Sequence, residues 1–174
     1  MIKLAESSGT VIYDSGNKLY ITKKPAQWTS TFLFVTGLLA FLFIANGVLQ
    51  LFLFKNPHGA IPFAAILLTA LGVTFIAVFW SVLRYRKKIN NLPFDELKQI
   101  CVIDFTTNNL LDSEETILCS LNDVILDRKM QLGSSSPALI LKWNKNKLLL
   151  VKGSPFSGGV SAVEGALISK GINS

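Results

Sequence analysis

The spacing of apolar residues changes character several times along the chain. Between Thr10 and Lys24 apolar and polar residues alternate in two short runs, Thr10 to Tyr13 and Leu19 to Thr22. The turn-forming cluster Asp14-Ser15-Gly16-Asn17 lies between them, so this stretch predicts a β-hairpin, ended by Pro25. Alternation then gives way to two uninterrupted apolar segments, residues 30–54 and 59–83, neither of which contains a charge. About 20 apolar helical residues cross a bilayer's hydrocarbon core, so each segment predicts a transmembrane helix. Both are apolar on every face, and too few residues remain to bury two such helices in a soluble core. The loop between them, Lys55-Asn56-Pro57-His58, is short enough to be only a tight turn.

After residue 98 the period returns to two. Cys101, Ile103 and Phe105 share one face, Leu110-Leu111 begins a short strand, and Ile117, Cys119 and Leu121 alternate. Val124 to Met130 follows, with Val124, Leu126 and Met130 on one side and Asp127 and Lys129 on the other. Ala138 to Trp143 and Lys147 to Val151 flank the turn Asn144-Lys145-Asn146. Turns every 8 to 12 residues predict about five strands in a meandering antiparallel sheet or small barrel. The tail then adopts a helical period, with Ala162, Val163, Ala166 and Leu167 on one face. Ser161-Ala162-Val163-Glu164 matches a capping box, Lys170 suits the last turn, and Gly171 supplies a stop.

The predicted organisation is an N-terminal hairpin (1–28), a two-helix transmembrane hairpin (29–84), a basic juxtamembrane linker (85–98), and a β domain with a C-terminal helix (99–174). In this linker LPFDELK, Leu92 to Lys98, forms one helical turn or none.

Charge adds topology. Half the residues are hydrophobic and 16% are charged, with a net charge of +6. The N-terminal flank holds Lys18, Lys23 and Lys24, and the second span is followed by Arg84, Arg86, Lys87 and Lys88, whereas the hairpin tip carries one Lys. Positive flanks stay cytoplasmic, so both termini are expected there. Trp28, Trp80 and Tyr85 sit where interfacial aromatics belong. The Arg84–Lys88 run also suits anionic headgroups. Residues 89–174 carry eight basic and nine acidic side chains. The basicity therefore reads as juxtamembrane, and a nucleic-acid face is not expected.

Little catalytic chemistry is in view. The lone histidine, His58, lies in the hairpin tip, on the opposite side from Cys101 and Cys119, which are expected to be reduced and packed. That removes a Cys/His metal site and a Cys–His nucleophile pair. Glu114-Glu115 and the Asp123/Asp127 pair read as solvated charge. Within the spans, Asn46 and Gln50 share a face and can bond across helices, while Ala65, Thr69, Val73 and Ala77 recur every four residues as a packing stripe. Two polar loops are candidates for partner contact: Leu132 to Pro137, with Ser134, Ser135 and Ser136, and Gly153 to Val160, with Gly158 and Gly159. The second imitates a phosphate loop, but Gly159 stands where that loop needs Lys and Val160 where it needs Ser or Thr. No cofactor, metal or small-molecule substrate is expected.

Strands, then ICVIDF, ETILCSLNDV, the hairpin PALILKWNKNKLLLV and the helix SAVEGALISKG make an element order that resembles the pleckstrin-homology (PH) superfold. Membrane-anchored bacterial PH-like proteins carry such a domain after a pair of transmembrane helices. The resemblance covers residues 10–23 and 98–172. It implies a PH-like half-barrel or barrel of seven strands with a C-terminal helix, a bacterial inner membrane location, and a binding platform in place of an enzyme. Phosphoinositide-binding members cluster Lys and Arg around the first strand loop, whereas Asp14 to Lys18 holds one Lys. Protein contact is therefore the expected use: an accessory or scaffold subunit whose partners are the bilayer and other membrane subunits. The alternative is an anionic-lipid-binding membrane module in which Arg84–Lys88 and the domain surface meet headgroups.

Overall fold

The N-terminal strands and the strands that follow the apolar helices form one sheet. The computed structural model describes residues 1–25, 28–53, 62–131, 136–154 and 159–172. Strand β3 (Lys18–Lys23) pairs antiparallel with β4 (Lys98–Asp104), from Lys18 opposite Asp104 to Lys23 opposite Lys98. Two compact units result: Met1–Gln27 with Leu92–Ser174, and Trp28–Asn91. The N-terminal hairpin is thus part of the β domain and not a separate element.

In the β unit, β1 (Ile2–Ser7), β2 (Thr10–Asp14), β3, β4, β5 (Asn109–Leu111) and β6 (Ile117–Ser120) form an antiparallel sheet in chain order. A second antiparallel sheet holds β7 (Ile125–Lys129), β8 (Ala138–Trp143) and β9 (Asn146–Lys152). The described residues thus form nine strands where seven were expected: all six apolar runs after residue 98 pair as strands, where about five were counted, and β1 is additional. Sequence pattern missed β1 because its apolar residues, Ile2 and Leu4, are exposed and give no inward alternation. Register shifts at Lys3/Ala5, Ile21/Thr22, Leu110/Leu111 and Leu139/Ile140 mark bulges, which bend strands and increase twist.

The core lies between the sheets. Ile12, Leu19, Ile21, Cys101 and Ile103 meet Leu126, Leu139, Leu141, Trp143 and Val151, with Val163 and Leu167 of the C-terminal helix. Met130, expected inward with Leu126, is exposed because β7 ends at Lys129. The outer face of the six-stranded sheet also buries Val11, Val102 and Leu111. Phe94, in a 3-10 turn Phe94–Glu96, sits edge-on to Tyr13 at 5.2 Å and to Tyr20 at 5.5 Å on that face. The segment after the second long helix is therefore packed onto the sheet and is not a free linker.

The two long helices, α1 (Thr29–Leu53) and α2 (Phe63–Asn90), are long and apolar enough to cross a membrane. Helix α2 runs six residues past the expected end of the hairpin, so Arg84, Arg86, Lys87 and Lys88 are helical. Lys87 and Lys88 lie in its last turn, where cations suit the helix dipole. The C-terminal helix α3 (Ser161–Ile168) packs on β1 and β2. The capping box does not form: Val160 is the N-cap, no side chain caps the helix, and the Glu164 carboxylate is taken by Arg128. The helix ends at Ile168 with Ser169 as its C-cap, so Lys170 lies beyond the last turn, where it pairs with Asp14 at 2.6 Å, and Gly171, with φ +87°, follows in the turn after the helix.

Candidate functional site

In the helical unit the contact seam repeats every 3.5 residues, the period of left-handed helix pairs. Thr29, Leu33, Thr36, Ala40, Phe43, Gly47 and Gln50 of α1 are buried or half-buried, as are Ala65, Leu68, Gly72, Phe75, Phe79 and Val82 of α2. Glycine permits the close approach. A Cβ on Gly72 would meet the Ile44 side chain and lie 3.1 Å from the Ile44 backbone nitrogen; one on Gly47 would lie 3.2 Å from the Ala65 carbonyl oxygen. Phe43 and Phe75 stack with centroids 5.5 Å apart.

The predicted stripe of four-residue period follows this seam only at its start. Ala65 is fully buried and Thr69 is half-buried beside Gly47, but Val73 and Ala77 are exposed, because a step of four drifts off a 3.5-residue seam. Thr69 Oγ1 donates to its own helix, to Ala65 O at 2.8 Å. Asn46 likewise donates Nδ2 to Leu42 O at 2.8 Å and is exposed, so it is turned back on α1 and makes no bond across to α2. Gln50 is half-buried. An open apolar groove of 490 Å³ runs along α2 beside Leu51, lined by Ala65, Ile66, Thr69, Ala70 and Val73. Little of either helix's most apolar stretch is covered: 22% in α1 and 6% in α2.

In the β unit, Ser134, Ser135 and Gly158 lie outside the described residues, as does His58. Ser136 and Gly159, one in each candidate loop, are tied down. Gln131 Nε2 donates to Ser136 O at 2.7 Å and to Gly153 O at 3.0 Å, and Gly153 N donates to Pro137 O at 3.1 Å. Ser7 Oγ donates to the Gly159 carbonyl oxygen, and Thr10 Oγ1 to Leu150 O at 2.9 Å. The ends of the serine loop and of the glycine-rich stretch are thereby fixed to one another and to the β1–β2 turn.

The titratable groups are mostly engaged in structure. Burial works to raise the Glu6 carboxyl, but hydrogen bonds from Lys24 (2.6 Å) and Lys3 outweigh it and hold the group below the usual carboxylate range. Asp14 is lowered by Lys170 and the Gly16 amide, and Asp127 by Lys142. Asp112 accepts from the backbone amides of Glu114 and Thr116, so the Glu114-Glu115 pair belongs to a capped turn with Glu115 at φ +59°. Burial pushes the Cys101 thiol up to about 12. Cys119 is half-buried at the edge of the core. Among the described residues no group of three or more His, Cys, Asp or Glu could hold a metal ion.

One surface was hidden from the charge count. Of the eight basic residues after position 88, five lie on the outer side of β7, β8 and β9 or at the Asn144-Lys145 turn: Lys129, Lys142, Lys145, Lys147 and Lys152; Arg128 has the core-side parity of Leu126 and pairs with Glu164. The basicity is thus not confined to the juxtamembrane run, on which the expectation of no nucleic-acid face rested. The usable signal was parity: in ALILKWNKNKLLLVK the strand lysines occupy the positions opposite the core residues.

No family model, curated protein or solved structure matches this chain.

Proposed function

We propose that this chain is a two-pass membrane protein that presents a small cytoplasmic β domain as a non-enzymatic accessory or scaffold subunit of a membrane complex. The observation that carries the reading is the uncovered apolar surface of α1 and α2. Phe34, Phe41, Phe52, Phe63, Ile66 and Leu67 are all exposed. A soluble protein does not leave so continuous an apolar surface in water, whereas lipid tails or neighbouring helices cover it at no cost. Arg84, Arg86, Lys87 and Lys88 at the end of α2, with Lys23 and Lys24 before α1, support a cytoplasmic side for both termini.

The order of two antiparallel sheets closed by a C-terminal helix supports a PH-like domain, with two strands beyond its seven, β1 among them. The apolar groove beside Leu51, along which Ile66, Ala70 and Val73 are exposed, suits contact with another subunit's helix, whereas Ala65 and Thr69 are taken up against α1. Native electrophoresis of the chain extracted from its own membrane in mild detergent tests the subunit reading: it predicts migration with copurifying proteins in stoichiometric amount. A lone monomer at every detergent concentration overturns it.

A second reading, an anionic-lipid-binding module, is favoured by the lysine-rich face of the three-stranded sheet.

A further inference from the structure

Strand register builds one basic face on the β unit. On the side of the β7–β8–β9 sheet away from the core, Ile125, Lys142 and Lys147 align across the strands, then Asp127, Ile140 and Leu149, then Lys129, Ala138 and Lys152. The four lysines are exposed, and Lys145 adds a fifth at the turn. Asp127 is the one acidic side chain in this array, and it pairs with Lys142. Lys129, Lys145, Lys147 and Lys152 have no ion-pair partner among the described residues. Between these charges Ile125 is 54% and Leu149 48% exposed.

We infer that this lysine face docks on the anionic lipid surface of the membrane that holds the chain. Three observations select that partner. Protein interfaces are depleted in lysine and enriched in aromatics and arginine, and the aligned residues include neither. Nucleic-acid platforms that stack bases need exposed aromatic rings, which this array also lacks. Lysine is a strongly hydrated point charge that suits a diffuse field of headgroups, while short exposed aliphatics such as Leu149 suit the headgroup–acyl boundary. Connectivity adds proximity. Lys23 and Lys98 pair at the end of the β3–β4 ladder from which the chain leaves toward α1 and to which it returns from α2. The domain is therefore confined near a bilayer surface at high effective concentration. This inference rests on the membrane-spanning reading of α1 and α2. It differs from headgroup recognition at the Asp14–Lys18 loop, because it places the contact on a different sheet.

The test uses the full chain in lipid nanodiscs of phosphatidylcholine alone or mixed equally with phosphatidylglycerol. A Leu149→Cys variant in a Cys119→Ser background carries an environment-sensitive fluorophore; Cys101 is fully buried and stays unlabelled. A nitroxide-headgroup lipid serves as quencher. The expected result is quenching in anionic discs, weak quenching in neutral discs, and reversal by high salt. Each lysine near a charged leaflet contributes about fivefold to such an equilibrium, so K129Q/K142Q/K147Q/K152Q lowers docking by about two to three orders of magnitude. The same four positions changed to Arg retain it, which separates charge from folding. Equal quenching in both disc types, or none in anionic discs, overturns the inference. Lysine-dependent capture of an RNA oligonucleotide without quenching overturns it in favour of a nucleic-acid face. Failure to co-elute with the discs refutes the membrane reading and the docking with it. Co-elution without quenching refutes the docking alone.

Discussion

Replacing Phe94 by Ala removes a ring that meets Tyr13 and Tyr20 together on the outer face of the six-stranded sheet. Aromatic pairs of this geometry contribute about 0.5–1.5 kcal/mol each beyond burial. A Phe→Ala change in a full core costs about 3–5 kcal/mol, and Phe94 is half-buried, which reduces that figure. The expected loss is about 2–3 kcal/mol. At about 4 °C per kcal/mol for a unit of this size, the melting temperature of the β unit falls by about 10 °C. Thermal unfolding of the full chain in detergent, followed at the β-sheet circular dichroism signal, reads this. Asp95→Ala, one residue away and exposed, is the control and stays within about 0.5 kcal/mol. A Phe94→Ala melting curve that overlays the control refutes the view that residues 92–97 are fastened to the sheet.

The remaining predictions concern glycines, acid and thiols. Gly72→Ala pushes a methyl into Ile44 and the α1 backbone, so overpacking of about 1–3 kcal/mol exceeds the helix-propensity gain and lowers α1–α2 pairing measured by intramolecular fluorescence transfer in detergent. Gly165→Ala in α3 meets nothing within 4 Å and stabilises the β unit by up to about 1 kcal/mol in the same melting assay. Glu6, Asp14 and Asp127 have folded-state pKa values below their unfolded ones. Their contribution is therefore complete above about pH 4–5 and is lost as pH falls through the depressed values, and Glu6→Gln flattens that acid-limb decline in a pH series of melting temperatures. With Cys101 buried and its thiol pushed up to about 12, a thiol reagent titrates Cys119 in the native chain and both cysteines only after unfolding. Equal native reaction of both contradicts the packing of β4.

How much was legible follows from which residues carry a one-dimensional signal. The apolar helices announce themselves because every face is apolar. The hairpins at Asp14–Asn17 and Asn144–Lys145 announce themselves because turn chemistry separates alternating runs. Strand β1 gave no such signal, because an edge strand with Ile2 and Leu4 outward has no apolar face to betray it. The capping box at Ser161 failed because Arg128, distant in sequence, competes for Glu164, and a local motif cannot register a long-range partner. The four-residue stripe in α2 chose the wrong period: Gly72, not Val73, faces α1, since the pairing follows a 3.5-residue repeat and needs glycine at the closest approach. The lysine face escaped for a related reason. A net charge sums over all sides of a domain, whereas strand parity, read residue by residue from Lys142 to Lys152, separates them.

The central claim is that α1 and α2 cross a bilayer with both termini on one side. The most direct measurement is thiol labelling of single-cysteine variants with a membrane-impermeant maleimide, on intact cells and on sealed inverted vesicles. The cysteines are placed at Lys3, at Lys170 and at Asn56 in the loop between the helices. The account predicts that positions 3 and 170 label only in inverted vesicles and position 56 only from outside. Labelling of all three from the same side, or release of the chain from membranes by alkaline carbonate, contradicts it.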